Sequence, residues 1–192
     1  MRYLITGGSA SGKSTYAEDL ALRCPGPRTY LAAMRPVGPE DYARIARHRN
    51  LRAEKGFVTV ERYTDVGGVI LPERGTVLLE CLCNLTANEM FDMSRSCDAA
   101  ADAYDDVLNN YPEDVDAYAV KQVLDGICAL SAKCDTLIVV TNDVGSDGGG
   151  YGEATMAYVR TLGYLNARLA CLFDRVAELT CGVPLPLKGA LL

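Results

Sequence analysis

The chain has 192 residues, 49% hydrophobic and 23% charged, with a net charge of −6. That length supports one domain with a substantial core, and the acidic balance disfavours a nucleic-acid-binding surface, so no nucleic-acid partner is expected. No apolar run approaches the roughly 20 residues of a membrane span, and the N-terminus leads directly into an apolar strand and a glycine loop where a secretory leader would stand. These features predict a cytoplasmic protein.

The eight cysteines (Cys24, Cys81, Cys83, Cys97, Cys128, Cys134, Cys171 and Cys181) contain no C-x-x-C pair, and the only histidine is His48. In a cytosolic chain they read as buried or free thiols, with no structural metal and no disulfides expected.

Tyr3-Leu4-Ile5 predicts a short buried strand. Gly7-Gly8-Ser9-Ala10-Ser11-Gly12-Lys13-Ser14 follows and fits the template G-x-x-x-x-G-K-[ST]. Residues 14–23 then predict a helix, with Tyr16, Ala17, Leu20 and Ala21 as its apolar stripe. Strand, glycine loop and helix are the context a phosphate-binding loop needs. Glycines let backbone N–H groups approach an anion closely, and the helix adds its positive end. Lys13 reaches the β- and γ-phosphates, and the Ser14 hydroxyl holds Mg²⁺. A nucleoside triphosphate is the expected ligand, with Thr15 completing the loop's contacts.

Residues 29–33 predict a second strand, making a strand–helix–strand unit and therefore a parallel sheet. Ligands on such sheets sit beyond the carboxyl ends of the strands, so Ala33, Met34 and Arg35 are expected near the nucleotide. A helix over residues 39–55 starts at Pro39 and carries His48 with Arg44, Arg47, Arg49 and Arg52. Arg44, His48 and Arg52 share one face at i, i+4 and i+8. One reading is a solvated basic face with an incidental histidine. The other is functional: neighbouring cations keep the imidazole neutral and nucleophilic, and they attract phosphates.

Residues 57–61 predict a third strand ending in Glu61. A loop or short helix over residues 65–74 leads to a buried strand, residues 76–80, ending in Glu80. There a phosphate-loop protein carries the acid that holds Mg²⁺ through water, usually an aspartate; an ordinary strand-end acid is the alternative. Residues 84–93 predict a short helix with Asn88 and Phe91. Residues 98–116 read as an exposed insertion whose acids Asp98, Asp102, Asp105 and Asp106 form a solvated face. Residues 115–134 predict a helix with apolar positions 120, 123, 124, 127 and 130 facing the core. Residues 135–141 are the clearest buried strand. It runs into Thr141-Asn142-Asp143-Val144-Gly145, aimed at the ligand cleft, and then into a glycine-rich stretch over 146–150 that suits a lid. A long helix over 153–174 carries Met156, Val159, Leu162, Leu165, Leu169 and Phe173. A strand over 174–181, a turn at Gly182-Val183-Pro184 and a short strand through Leu187-Lys188 complete one nucleotide-binding domain over 1–192, without internal repeat or linker.

Taken together, these segments resemble the bifunctional adenosylcobinamide kinase / adenosylcobinamide-phosphate guanylyltransferase family of cobalamin biosynthesis. The resemblance is carried by Thr6-Gly7-Gly8, Ala43-Arg44-Ile45 before His48-Arg49, and Leu78-Leu79-Glu80-Cys81 with Asn88. Further on it is carried by Val140-Thr141-Asn142-Asp143-Val144-Gly145, Gly163-Tyr164-Leu165-Asn166 with Leu169-Ala170, and Gly182-Val183-Pro184 with Leu187-Lys188. It departs at Asp143, where many relatives carry glutamate, in the glycine-rich loop that follows, and at Tyr158-Val159-Arg160.

The resemblance implies a RecA-like P-loop NTPase fold, an α/β arrangement with a mostly parallel sheet flanked by helices, and a homotrimer. It implies two reactions. ATP or GTP phosphorylates the aminopropanol hydroxyl of adenosylcobinamide, and GTP then gives its guanylyl group to a histidine, from which it passes to adenosylcobinamide phosphate. His48 is the histidine carried over, with Lys13 catalytic and Arg44, Arg49 and Arg52 stabilising transition-state charge. The implied nucleotide contacts are the phosphate loop, Ala33, Met34, Arg35, Arg49, Asn50, Leu51, Arg52, Glu61 and Glu80, with Mg²⁺ on Ser14 and Glu80. The Glu61 carboxylate suits the N–H donors on guanine's edge. The alternatives are a kinase of another small molecule and a GTP-binding module without chemistry.

Overall fold

Strands that are covered on both faces must carry apolar side chains on both, and four strands of this chain do. The computed structural model describes residues 1–36, 38, 42, 45, 46, 49, 52–91, 112, 114–145 and 149–190. In chain order the elements are β1 (Arg2–Gly7), α1 (Lys13–Arg23), β2 (Arg28–Ala32), β3 (Phe57–Glu61), β4 (Thr76–Glu80), α2 (Leu82–Phe91), α3 (Ala117–Lys133), β5 (Thr136–Val140), α4 (Glu153–Leu172), β6 (Arg175–Thr180) and β7 (Val183–Lys188). A single 3₁₀ turn, Val66–Gly68, lies between β3 and β4. Between β2 and β3 the described residues Tyr42, Ile45, Ala46, Arg49 and Arg52 to Glu54 are helical.

The strands form one sheet in the order β3-β2-β4-β5-β1-β6-β7. Every neighbouring pair is parallel except β6 and β7, which form an antiparallel hairpin. On one face Leu4, Leu31, Val77, Leu79, Leu137 and Val139 pack with side chains of α2, α3 and α4. On the other, Tyr3, Ile5, Tyr30, Leu78, Ile138 and Val140 pack with Ala17, Leu20 and Ala21 of α1. The strict alternation between these two sets is the period of two that a strand imposes. Each fully buried leucine contributes about 1.5–3 kcal/mol, so both layers are firmly held to the sheet. This is the mostly parallel, helix-flanked sheet of the P-loop NTPases, with the RecA-like insertion of β5 between the phosphate-loop strand β1 and the acid strand β4.

Some boundaries differ from those read in the sequence, for local reasons. Helix α2 starts at Leu82 because Leu82 and Cys83 are themselves buried. Helix α3 starts at Ala117 because the Asp116 side chain accepts the Ala119 N–H at 2.9 Å and so caps it. The first half of α4 is less buried than its stripe suggests: Met156 and Val159 are half-buried, while Leu162, Leu165, Leu169 and Phe173 are core. Val183 and Pro184 belong to β7 rather than to the turn, and prolines 184 and 186 are tolerated because β7 is an edge strand. The acids Asp98, Asp102, Asp105 and Asp106, most of the segment 98–116, and residues 146–148 of the glycine-rich stretch lie outside the described residues. Among the described residues no helix is long and apolar enough to cross a membrane.

Candidate active site

The sheet register lines up the ends of the strands. Glu61 of β3 and Glu80 of β4 both pair with Ala32 of β2, Glu80 pairs with Val140 of β5, and Val140 with Ile5 of β1. One row across the carboxyl edge of the sheet thus carries both predicted acids and the strand that feeds the phosphate loop. Residues 33–35, which follow β2, leave between the two acids.

The phosphate loop runs from Gly7 through Gly8, Ser9, Ala10 and Ser11 to Gly12, with Lys13 and Ser14 opening α1 and Thr15 beside them. Gly12 caps the helix with φ of 92°, a left-handed conformation that a side chain resists. Lys13 is 7% exposed, and its ammonium donates to the Gly8 carbonyl at 2.7 Å. A buried cation whose hydrogen bond goes to a neutral carbonyl is poised for an anion. The Ser11 hydroxyl is buried without a hydrogen-bond partner among the described residues, another polar group turned into the loop.

Glu80 receives two hydroxyls. Ser14 donates to Oε1, and Tyr30 donates to Oε2 at 3.0 Å. Burial, reinforced by the Glu80 charge, pushes the Tyr30 phenol's ionisation far up, so it remains a donor. Ser14, Thr15, Tyr30, Met34, Arg52, Glu61 and Glu80 line one cavity of about 690 Å³, large enough for a nucleotide. Glu61, at its far end, accepts from Arg49 on Oε1 and from the Tyr63 hydroxyl on Oε2 at 3.0 Å. Both its oxygens are therefore engaged. Glu61 also faces a second cavity of about 660 Å³, together with Arg35, Tyr42 and Tyr63.

Of the predicted site residues, Ser14, Thr15, Met34, Arg52, Glu61 and Glu80 line the first cavity, while Gly7 to Lys13 adjoin it through Ser14, and Ala33 links to this group by donating its N–H to the Glu80 carbonyl at 3.1 Å. Arg35 lies over the Tyr63 ring, 5.7 Å from its centroid, beside the second cavity. Arg49 reaches the group through Glu61. Arg52 is no part of a solvated face: it is 7% exposed and stacks on Tyr30, 3.5 Å from the ring centroid. Arg44, His48, Asn50 and Leu51 lie outside the described residues.

Two contributors enter the sequence reading among the residues that carry the resemblance, with no role of their own. Asn88, on α2, donates to the carbonyls of Ala33 at 2.8 Å and Tyr63 at 2.9 Å, tying the exits of β2 and β3 together. Its place in a short helix gives no hint of this. Asn166, on α4, accepts from the Thr141 hydroxyl at 2.7 Å and donates to the Asn142 carbonyl at 3.2 Å, fixing the exit of β5. There the Asn142 N–H donates to Cys83 Sγ at 3.2 Å, and the Asp143 N–H to the Gly7 carbonyl at 3.2 Å. The Cys83 thiol is held below its usual range by hydrogen bonding from Cys81, against the effect of burial.

Ser14 and Glu80 together present a hydroxyl and a carboxylate, the hard oxygen donors that suit Mg²⁺. Among the described residues no three His, Cys, Asp or Glu side chains gather as a metal cluster. A pair is what Mg²⁺ needs when phosphates complete its shell.

Residues 3–187 match the family model described as cobinamide kinase / cobinamide phosphate guanyltransferase, CobU. The chain is 30% identical over 198 residues to the bifunctional adenosylcobalamin biosynthesis protein CobU of Escherichia coli, with 98% of this chain and 100% of that protein covered. It is 28% identical over 193 residues to the bifunctional adenosylcobalamin biosynthesis protein CobP of Pseudomonas aeruginosa, with 98% of each covered. A solved ATPase from the type III secretion system of pathogenic bacteria aligns with 93% of this chain and 51% of its own, at a TM-score of 0.47 and 15% identity. The family match spans nearly the whole chain, phosphate loop and both strand-end acids included: the chain belongs to the cobinamide kinase / cobinamide phosphate guanyltransferase family, and it is a bifunctional kinase and nucleotidyltransferase of cobalamin biosynthesis.

Proposed function

We propose that this enzyme phosphorylates adenosylcobinamide and then transfers GMP from GTP to adenosylcobinamide phosphate by way of a guanylyl group on His48. The observation that carries the reading is the meeting of Ser14 and Glu80 at one end of a cavity whose other end holds Glu61 and, buried in its wall, Arg52. A phosphate chain and its cation fit the first end, and the rest of a nucleotide fits the remainder.

In the kinase step the acceptor hydroxyl oxygen bonds to the γ-phosphorus of ATP or GTP, the bond to the β-phosphate oxygen breaks so that ADP or GDP leaves, and the hydroxyl proton passes to solvent. Lys13 neutralises charge on the transferred group, and the loop N–H groups orient it. Ser14 and Glu80 would hold Mg²⁺, which supplies charge neutralisation across the phosphates. In the transferase step a neutral imidazole nitrogen of His48 bonds to the α-phosphorus of GTP and pyrophosphate leaves. A phosphate oxygen of adenosylcobinamide phosphate then takes the guanylyl group, and the P–N bond breaks to restore the imidazole. Arg49 and Arg52 stabilise charge as it develops. Glu61 can accept guanine's N–H donors only by releasing Arg49 or Tyr63, so nucleotide binding is expected to rearrange that pair. The reading includes one nucleotide-binding domain over 1–192 working as a homotrimer in the cytoplasm, which sedimentation of the purified enzyme checks for assembly.

The test is incubation with GTP labelled at the α- or the γ-phosphate. Protein-bound label from the α position alone, acid-labile, base-stable and absent in His48→Ala, is the expected result. Guanylyl transfer to adenosylcobinamide phosphate by His48→Ala at the wild-type rate would overturn the histidine route.

A further inference from the structure

Tyr30 touches both the acid and the buried arginine of the nucleotide cavity, and the reaction above gives it nothing to do. It stands in the middle of β2, 6% exposed. Its hydroxyl donates to Glu80 Oε2 at 3.0 Å while Ser14 takes Oε1. Arg52 covers one face of its ring, with the guanidinium carbon 3.5 Å from the centroid. The ring of Phe57 meets it edge-on, 6.4 Å between centroids and 89° between planes. The Nε of Arg52 is buried without a hydrogen-bond partner among the described residues.

We propose that Tyr30 is a positioning residue, which aims Glu80 at the cation-binding hydroxyl of Ser14 and holds Arg52 against the nucleotide cavity. The inference rests on the reading of Ser14 and Glu80 as the magnesium pair. A carboxylate at a strand end can turn about its last torsion. A phenol bonded to one oxygen stops that rotation and leaves the other oxygen toward Ser14. The ring is fixed in turn between Phe57 and Arg52, so the aim of the acid and the place of the arginine depend on one rigid group. This also gives a reason for glutamate where phosphate-loop proteins usually place aspartate. The extra methylene lets one carboxylate reach from β4 to both Ser14 on α1 and Tyr30 on β2. Aspartate would give up one of them.

The test measures binding of a fluorescent GTP analogue at a series of free Mg²⁺ concentrations. The quantity read is the ratio of its Kd in EDTA to its Kd at saturating Mg²⁺. Tyr30→Phe keeps the ring and its contacts with Arg52 and Phe57 and removes only the hydroxyl. It is expected to lower that ratio about tenfold or more, the weight of a hydrogen bond to a charged group. In the kinase assay it should raise the half-saturating Mg²⁺ by a similar factor, with kcat recovering at high Mg²⁺. Glu80→Asp, which keeps the charge but withdraws it from the phenol, should show the same loss, and Tyr30→Phe should add nothing to it. A wild-type ratio in either single variant, or losses that add in the double variant, would overturn the proposal. Should Tyr30→Phe fail to fold, a wild-type ratio in Glu80→Asp still overturns the proposal. A wild-type enzyme whose analogue binding ignores Mg²⁺ would instead remove the magnesium pair, and this inference with it.

Discussion

The N–H of Gly182 donates to the carbonyl of Ser11 at 2.9 Å. The turn of the terminal hairpin is thereby fastened to the phosphate loop. The approach is close, because a Cβ on Gly12 would stand 3.3 Å from the Gly182 Cα. Gly182 holds φ of 81°, which costs an alanine about 1–2 kcal/mol. Gly182→Ala should therefore lower Tm by about 2–8 °C and weaken nucleotide binding with it. Gly182→Asn, which accepts left-handed backbone more readily, should recover most of both. Thermal scans and nucleotide titrations of the two variants check this; equal losses in both would remove the conformational explanation.

Asn88 supports the site from behind. Its amide donates to two carbonyls that leave adjacent strands, those of Ala33 and Tyr63. Asn88→Ala leaves both without this donor and should destabilise the fold by about 1–3 kcal/mol. Asn88→Asp should be worse, because a carboxylate would face two carbonyl oxygens. Urea unfolding of both variants reads the order directly. Nucleotide affinity should fall in the same order, since Ala33 and Met34 follow β2 into the cavity.

How much of this was legible in the sequence depends on how far apart the partners are. The phosphate loop is contiguous, so Gly7 to Ser14 declare themselves. Glu80 shows itself as an acid closing an apolar run, and Glu61 likewise. Tyr30 reads only as another apolar strand position. Its role exists because the sheet order sets β2 beside β4, with Tyr30 paired to Leu78 two residues before Glu80. Arg52 reads equally well as solvated or functional, since helical spacing gives a face but not what the face meets. The Gly182 contact is beyond local reading altogether, as it joins residues 171 positions apart. The cysteines read as buried or free thiols, and Cys24, Cys83 and Cys134 are buried; that Cys83 receives the Asn142 N–H follows only from β4 lying next to β5.

Lys13 separates binding from chemistry. Its ammonium now rests on the Gly8 carbonyl, and removing it takes away a charge aimed at the transferred phosphate. Lys13→Ala should reduce phosphoryl transfer to adenosylcobinamide by about 100-fold or more. His48→Ala should leave that reaction within about threefold of wild type, because the proposed histidine acts only on the α-phosphorus. Rate measurements with adenosylcobinamide as acceptor distinguish the two. Equal loss in both variants would mean that the histidine serves phosphoryl transfer as well.

Acid should loosen the start of β1. The Arg2 backbone N–H and guanidinium donate to Asp174 at 2.8 and 3.0 Å. These hydrogen bonds hold the Asp174 carboxyl below its ordinary value of 3.8. A depressed folded pKa means stability that is complete above the ordinary value and lost as pH falls through the folded one. The stability gap between wild type and Asp174→Asn should thus be steady near neutrality and close as pH drops below 3.8. Urea unfolding at successive pH values measures it, and a gap that persists unchanged to about pH 2 would exclude the linkage.

Strand β1 is made first, yet its sheet partners are β5 and β6. While the chain is being synthesised, Tyr3, Leu4 and Ile5 therefore have no strand to join until residues 136–140 emerge. At ordinary translation rates that wait is on the order of ten seconds. The phosphate loop hangs from this unpaired strand throughout. A nascent chain can be translated through most of its length and still be unable to hold a nucleotide, so nucleotide capture on the ribosome would mark the moment at which the sheet closes.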